Sequence, residues 1–226
     1  MSSITAIFRG VVVAIGLLAC GAATPVTASV IYQSAGYSGI DNGDYTLSSN
    51  NLIGAAFQLT ATTVITGIGA QFGAFNDGTI FGAIVPLASL TAFPGASPSQ
   101  PSGSNDLSGI SLASVVFSVP SGTTALDLIV PLTVTLAPGT YGVVFGSGQF
   151  GADGDAGLGD ANNPIGSPNL FQSIFAPDWA TLDDPGVRIV VEGVTTTPLP
   201  AALPLFATGL GALGLLGWRS KRRTAI

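Results

Sequence analysis

Histidine is absent from this chain, lysine occurs once, at Lys221, and cysteine once, at Cys20. These shortages exclude whole classes of chemistry. Ser-His-Asp and Cys-His catalysis and His-ligated zinc lack their imidazole or thiol, and a Ser-Lys dyad or Schiff base lacks its amine. Charge is also scarce and lopsided. All 12 acidic residues lie between Ser29 and Thr197 against a single base, Arg188, a net charge of −11 for that stretch. Such a field repels nucleic acid and anionic lipid, which excludes nucleic acid as a partner and leaves solubility as the plain use of the charge. Nor does any part of that stretch show a sustained 3.6-residue periodicity, which points away from helices and toward short strands.

The two ends read as addresses. Arg9 is followed by Val11 to Ala19, an apolar run too short to span a bilayer and suited to the core of a secretory leader. Val26-Thr27-Ala28 offers small residues at a cleavage spacing, so residues 1–28 are expected to be removed and the mature chain to begin at Ser29. Leu17-Leu18-Ala19-Cys20 is a competing, lipobox-like site that would make Cys20 a lipidated N-terminus. Cleavage after Ala28 instead leaves a mature chain with no thiol and no disulfide, whose core must hold the fold alone.

At the other end, Leu199 to Trp218 is an uncharged run of 20 residues, which as a helix reaches about 30 Å, the hydrocarbon thickness of a bilayer. Arg219, Lys221, Arg222 and Arg223 follow directly, so the positive-inside rule keeps that end cytoplasmic and places the preceding chain outside. Gly209-Leu210-Gly211-Ala212-Leu213-Gly214 matches a dinucleotide fingerprint on paper, but it lies inside the apolar run and follows no strand, so membrane packing explains its glycines better.

Thr197-Pro198-Leu199-Pro200-Ala201, the Gly/Leu-rich span and the Trp-Arg-Ser-Lys-Arg-Arg tail together resemble the PEP-CTERM sorting signal in its VPLPA variant. Thr197 stands where that variant usually has valine, and Leu199 where the namesake motif has glutamate. The resemblance covers only the last 30 or so residues. It implies export by a Gram-negative bacterium and recognition at Pro198, Leu199, Pro200 and Ala201 by an exosortase, often in species that make extracellular polysaccharide. It says nothing of the residues before it.

Between the addresses, 31 glycines and 15 prolines in the whole chain, with abundant Thr, Ser and Val, point to short strands joined by turns. Ile68, Ala70 and Phe72 alternate with Gly67, Gly69 and Gln71, and Ala113, Val115, Phe117 and Val119 share one face. Leu126 to Leu136 is the longest alternation; Pro131 within it predicts an edge strand or a bulge. Ala137-Pro138-Gly139-Thr140 predicts a tight turn joining it to Tyr141, Val143 and Phe145 in a hairpin. Further strands are expected over 30–33, 55–60, 79–87 and 187–193. The sum is an all-β domain over residues 29–194, a two-sheet β-sandwich or jelly roll of about eight strands, with residues 195–226 as stalk, motif, transmembrane helix and basic tail. Pro94 to Asp106 reads as a mobile surface connection. Gly146 to Gly186 is too long to be structureless, so it is functional or holds further elements, and it is where a site is sought.

What chemistry remains is carboxylate chemistry. Asp153-Gly154-Asp155 with Asp160 has the oxygen-rich, glycine-punctuated character of a calcium loop without EF-hand spacing, and Asp41-Asn42-Gly43-Asp44 is a shorter counterpart; ordinary turns use the same residues. A glycosidase would need two carboxyls across a cleft, drawn from Asp153, Asp155, Asp160, Asp178, Asp183, Asp184 or Glu192. Phe150, Phe171, Phe175 and Trp179 form either a sugar-stacking platform, with Trp179 as its ring, or core. The expectation is a non-enzymatic envelope or matrix protein of structural or adhesive type, with no cofactor beyond calcium. A module binding exopolysaccharide and a carboxylate-only hydrolase are the alternatives.

Overall fold

A computed structural model describes residues 28–40, 44–122, 125–174 and 178–195. The expected leader with Cys20, the motif Pro198–Ala201, the apolar span and Arg219, Lys221, Arg222 and Arg223 lie outside the described residues. Within them the chain is all β: β1 (Ser29–Gln33), β2 (Ala35–Gly36), β3 (Asp44–Leu47), β4 (Asn51–Leu59), β5 (Thr63–Asp77), β6 (Ile80–Leu87), β7 (Ala113–Phe117), β8 (Leu126–Leu136), β9 (Gly139–Gly146), β10 (Asp155–Gly159), β11 (Asn163–Pro164), β12 (Asn169–Ile174), β13 (Ala180–Thr181) and β14 (Ile189–Thr195).

Two antiparallel sheets face each other in a sandwich-like arrangement. Sheet one runs β1-β14-β5-β10-β3, with β8 on the opposite edge of β5; sheet two runs β13-β12-β4-β9-β6-β7. Phe72 pairs with Leu126 on one side and Leu158 on the other, so β14 and β10 share one long edge of β5 while β8 takes the other. Core faces follow from alternation: Ile68, Ala70 and Phe72 of β5 meet Ile53, Ala55 and Phe57 of β4 and Val143 and Phe145 of β9. Phe72, Phe117 and Phe145 pack edge to face with centroids 5.8 to 6.3 Å apart, an arrangement that suits the ring quadrupoles.

The strand expectations over β1 and β4 to β9 find their counterparts, but the hairpin does not form. β8 pairs with β5 in sheet one, whereas β9 lies between β4 and β6 in sheet two, so the turn at Ala137–Pro138 carries the chain from one sheet to the other. The physical reason is that an apolar face on each strand is satisfied equally by lying side by side or by facing across a core. Turn residues alone do not choose between the two. The Tyr141 hydroxyl donates to the Ala137 carbonyl at 2.9 Å, closing the corner, and Gly139 leaves room for it: a Cβ there would sit 3.2 Å from that hydroxyl. Pro131, in contrast, sits as expected on an edge strand, where the register with β5 shifts between Ile65 and Gly67.

The centre of sheet two, strands β4, β9 and β6, is buried on both faces. Leu52, Ala56, Phe81, Ala83, Val85, Val144 and Phe171 form a second core on its outer side, covered by Leu107, Trp179 and the connection between β6 and β7. This is why β4 and β9 are apolar at nearly every position instead of alternating. Among its described residues the Gly146 to Gly186 stretch holds four strands, β10 to β13. They are short and rich in Gly, Asp and Asn, so no run of β-branched residues announces them.

Across the outer face of sheet one lies the strap 34–40, and beneath it the one base among the described residues. Arg188 is 6% exposed. Its Nε and Nη2 donate to the two Asp127 carboxylate oxygens, each at 2.9 Å, and Nη1 donates to Gln33 Oε1 at 3.0 Å and to the Ala35 carbonyl. The bidentate fork joins β14 to β8 across β5. Arg188→Ala leaves the half-buried Asp127 carboxylate without its partner and is expected to cost about 1–3 kcal/mol in urea unfolding. The double change Arg188→Met with Asp127→Leu, which leaves no orphaned charge, should cost clearly less.

Candidate functional site

The expected calcium residues divide between two places. Asp153 sits against the β5–β6 turn, where its Oδ1 accepts from the Thr79 hydroxyl at 3.1 Å, and Asp155 opens β10. Asp160 follows the other end of β10, roughly 16 Å of extended chain away, so it does not share a cradle with them. Near it, Asp44 opens β3 opposite Gly159, while Asp41 to Gly43 lie outside the described residues. Among the described residues no three acidic side chains come together in a metal-holding group. The neighbour that Asp155 does acquire is Asp77, its direct cross-strand partner, which nothing in the local sequence signals. Two carboxylates opposed on an exposed turn repel one another.

The remaining acids have structural partners or none in a cleft. Asp178 accepts from the Ser102 hydroxyl at 3.0 Å. Asp184 accepts from the Gly186 amide and from the Tyr45 hydroxyl, both at 3.0 Å, tying β3 to the approach to β14. Burial first, then the bond to Asp184 and the charges of Asp184 and Asp160, push the Tyr45 phenol up to about 12. Ser108 donates to Asp106 from both hydroxyl and amide and lowers that carboxyl. Asp183 is exposed and Glu192 half-buried on β14.

Trp179 belongs to the second core and does not offer a platform. Its ring is 4% exposed, meets Phe171 edge to face at 5.2 Å, and donates from Nε1 to the Ser104 carbonyl at 2.8 Å. Phe171 in turn lies against Gly54, where a Cβ would come within 2.5 Å of the ring. Phe150 packs on Phe81 at 5.0 Å, and Phe175 is outside the described residues. The Pro94 to Asp106 run, read from its composition as a mobile connection, is tied down. Trp179 holds it from both ring and backbone, Ser104 bonds back to Pro94, and the Gln149 amide donates to the Asn105 carbonyl at 2.7 Å while its oxygen accepts from the Leu107 amide at 2.8 Å. Composition describes the solvent side of such a run and not what lies beneath it.

Among the described residues, three clefts illustrate the surface. One of about 370 Å³, between Pro86, Leu87, Phe93, Ala96 and Ile110, presents no polar side chain. One of about 110 Å³ lies on the far side of Phe93, against Phe171 and Thr181. A third, of about 250 Å³, lies where the described chain ends, among Val30, Gln58, Thr60, Thr63 and Thr195. None of the three is lined by a carboxylate. Convergent polar groups in a concave site are what binding or catalysis asks for.

No family model and no curated protein matches the chain. Among solved structures it is similar to the infectious bursal disease virus Gx strain structure, at 12% identity and a TM-score of 0.24 over 88% of this chain and 51% of that one. The VP2 subviral particle of the same virus gives 13% identity and a TM-score of 0.25 over 80% and 46%. The chain thus spans about half the length of those chains, and likeness at this level carries no argument about function.

Two measurements check the site's geometry. Trp179→Ala should cost about 3–5 kcal/mol and open the Pro94 to Asp106 run to limited proteolysis, whereas Trp179→Phe should lose only about 1 kcal/mol, the net worth of the Ser104 bond. For Tyr45, a folded pKa raised above the unfolded value gives stability that is complete below about pH 10 and lost as pH rises toward 12. Tyr45→Phe should therefore flatten the alkaline fall in unfolding free energy across that window.

Proposed function

We propose that this chain is an exported, non-enzymatic component of the cell envelope or extracellular matrix of a Gram-negative bacterium, structural or adhesive in type. A leader directs export, the helix over Leu199–Trp218 arrests the chain in the inner membrane, and an exosortase reads Pro198 to Ala201. The observation that carries this reading is that the sandwich's first strand, β1, opens at Ser29, directly after the expected leader. A single-sign surface supports it as well, because Arg188, the one base between Ser29 and Thr197, is spent on an internal tie. The fold also needs no thiol, as an exported chain without cysteine demands.

Intact mass and cell fraction of the native protein, with and without its sortase gene, test the reading. A species starting at Ser29, ending near Pro200 and found at the surface or in the medium only when the sortase is present is the expected outcome. A full-length C-terminus kept in the inner membrane of both strains would reduce the tail to a plain anchor.

A further inference from the structure

We infer that the end of the sandwich at which the described chain stops is a membrane-facing surface, resting on the headgroups of the bilayer that holds the C-terminal span. The inference deepens the reading above and rests on it for the span itself. Both sheets end together there. Thr63 pairs with Thr195 on one edge and Leu136 on the other, and Leu59 pairs with Gly139 in sheet two. Thr195 lines the cleft of about 250 Å³ with Val30, Gln58 and Thr60, a mixture of hydroxyl, amide and apolar groups, and Val30 is 49% exposed.

Charge separates this end from the other. The turns over 60–62 and 137–138, together with Ser29 and Thr195, carry no ionisable side chain, and the nearest acid along β14 is Glu192. The far end of β5 is Asp77, opposed to Asp155 and close to Asp153 through Thr79. β5 has 15 residues, so those carboxylates stand about 45 Å from Thr63. An anionic headgroup layer repels carboxylates within a Debye length, about 8 Å at physiological salt, so the favoured pose turns the uncharged end inward. Tether length enforces it: from Thr195 to Leu199 the chain reaches only about 13 Å.

The test uses the full chain in a Cys20→Ser background, reconstituted in vesicles of phosphatidylethanolamine and phosphatidylglycerol that contain a nitroxide-headgroup lipid. A fluorophore is placed on Thr60→Cys or Pro138→Cys, two exposed positions in separate turns at the proposed inner end. Ser121→Cys marks the opposite end, beside Pro120, whose carbonyl accepts from Asn76 near the tip of β5. Loss of most emission at 60 and 138, with 121 still bright, is expected. Equal quenching at all three positions, quenching only at 121, or none anywhere, with the chain still sedimenting with vesicles, overturns the orientation and spares the anchor. Failure to sediment with vesicles at all overturns both.

Discussion

Filling both edges of β5 is the constraint on which the rest of this structure depends. A buried 15-residue strand presents donors and acceptors along both sides, and each must be paired, because an orphaned backbone group in a dry interior costs as much as a lost hydrogen bond. β8 supplies one side; β14 and β10, end to end, supply the other. That requirement brings the last strand of the domain beside the first, since β1 has only β14 to pair with. It also sets Asp127 and Arg188 level on the outer face, flanking Gln71, where the 34–40 strap covers Arg188. The ion pair is thus a consequence of β5's pairing, and it holds the strand's two flanks in one register.

Sheet two is stabilised differently. Its central strands are clothed on both sides, one side by sheet one and the other by turns and loops, so its energy comes from apolar area more than from polar ties. Trp179 is the link between the two kinds of stabilisation. The indole buries a large apolar surface against Phe171 while its N–H satisfies a carbonyl of the loop that covers it. A chain without disulfides can use such a residue to hold a long, polar connection onto a sheet.

Strand existence was legible wherever alternation was strong, as in Ile68 to Phe72, Ala113 to Val119 and Leu126 to Leu136. Pro131 told correctly of an edge, because a missing N–H is a local property. Which strands pair is not local, and the supposed β8–β9 hairpin shows the limit: Pro138 and Gly139 turn the chain without saying into which sheet. Short strands such as Asp155–Gly159 were hidden because their burial is imposed by neighbours, with little β propensity of their own. Of the candidate residues, Asp153 and Asp155 do share a tip, but Asp160 is separated from them by the strand that joins them. A spacing of five reads as proximity in a loop and as distance in a strand.

The free edges of the two sheets carry unpaired backbone groups, and each is blunted in its own way. β13 is two residues long, and β3 is four and opens with Asp44. β8 is the long edge, with 11 residues, and it carries both Pro131 and a bulge. β1 and β7 have five residues each. Shortness, charge, proline and bulging are the separate devices by which sheet edges are kept from templating a second chain. No lysine is available in this stretch for the commonest of them, and acids and one proline take its place. The same poverty of charge therefore decides how the rims of the sandwich are protected, through geometry first and through a largely acidic surface second.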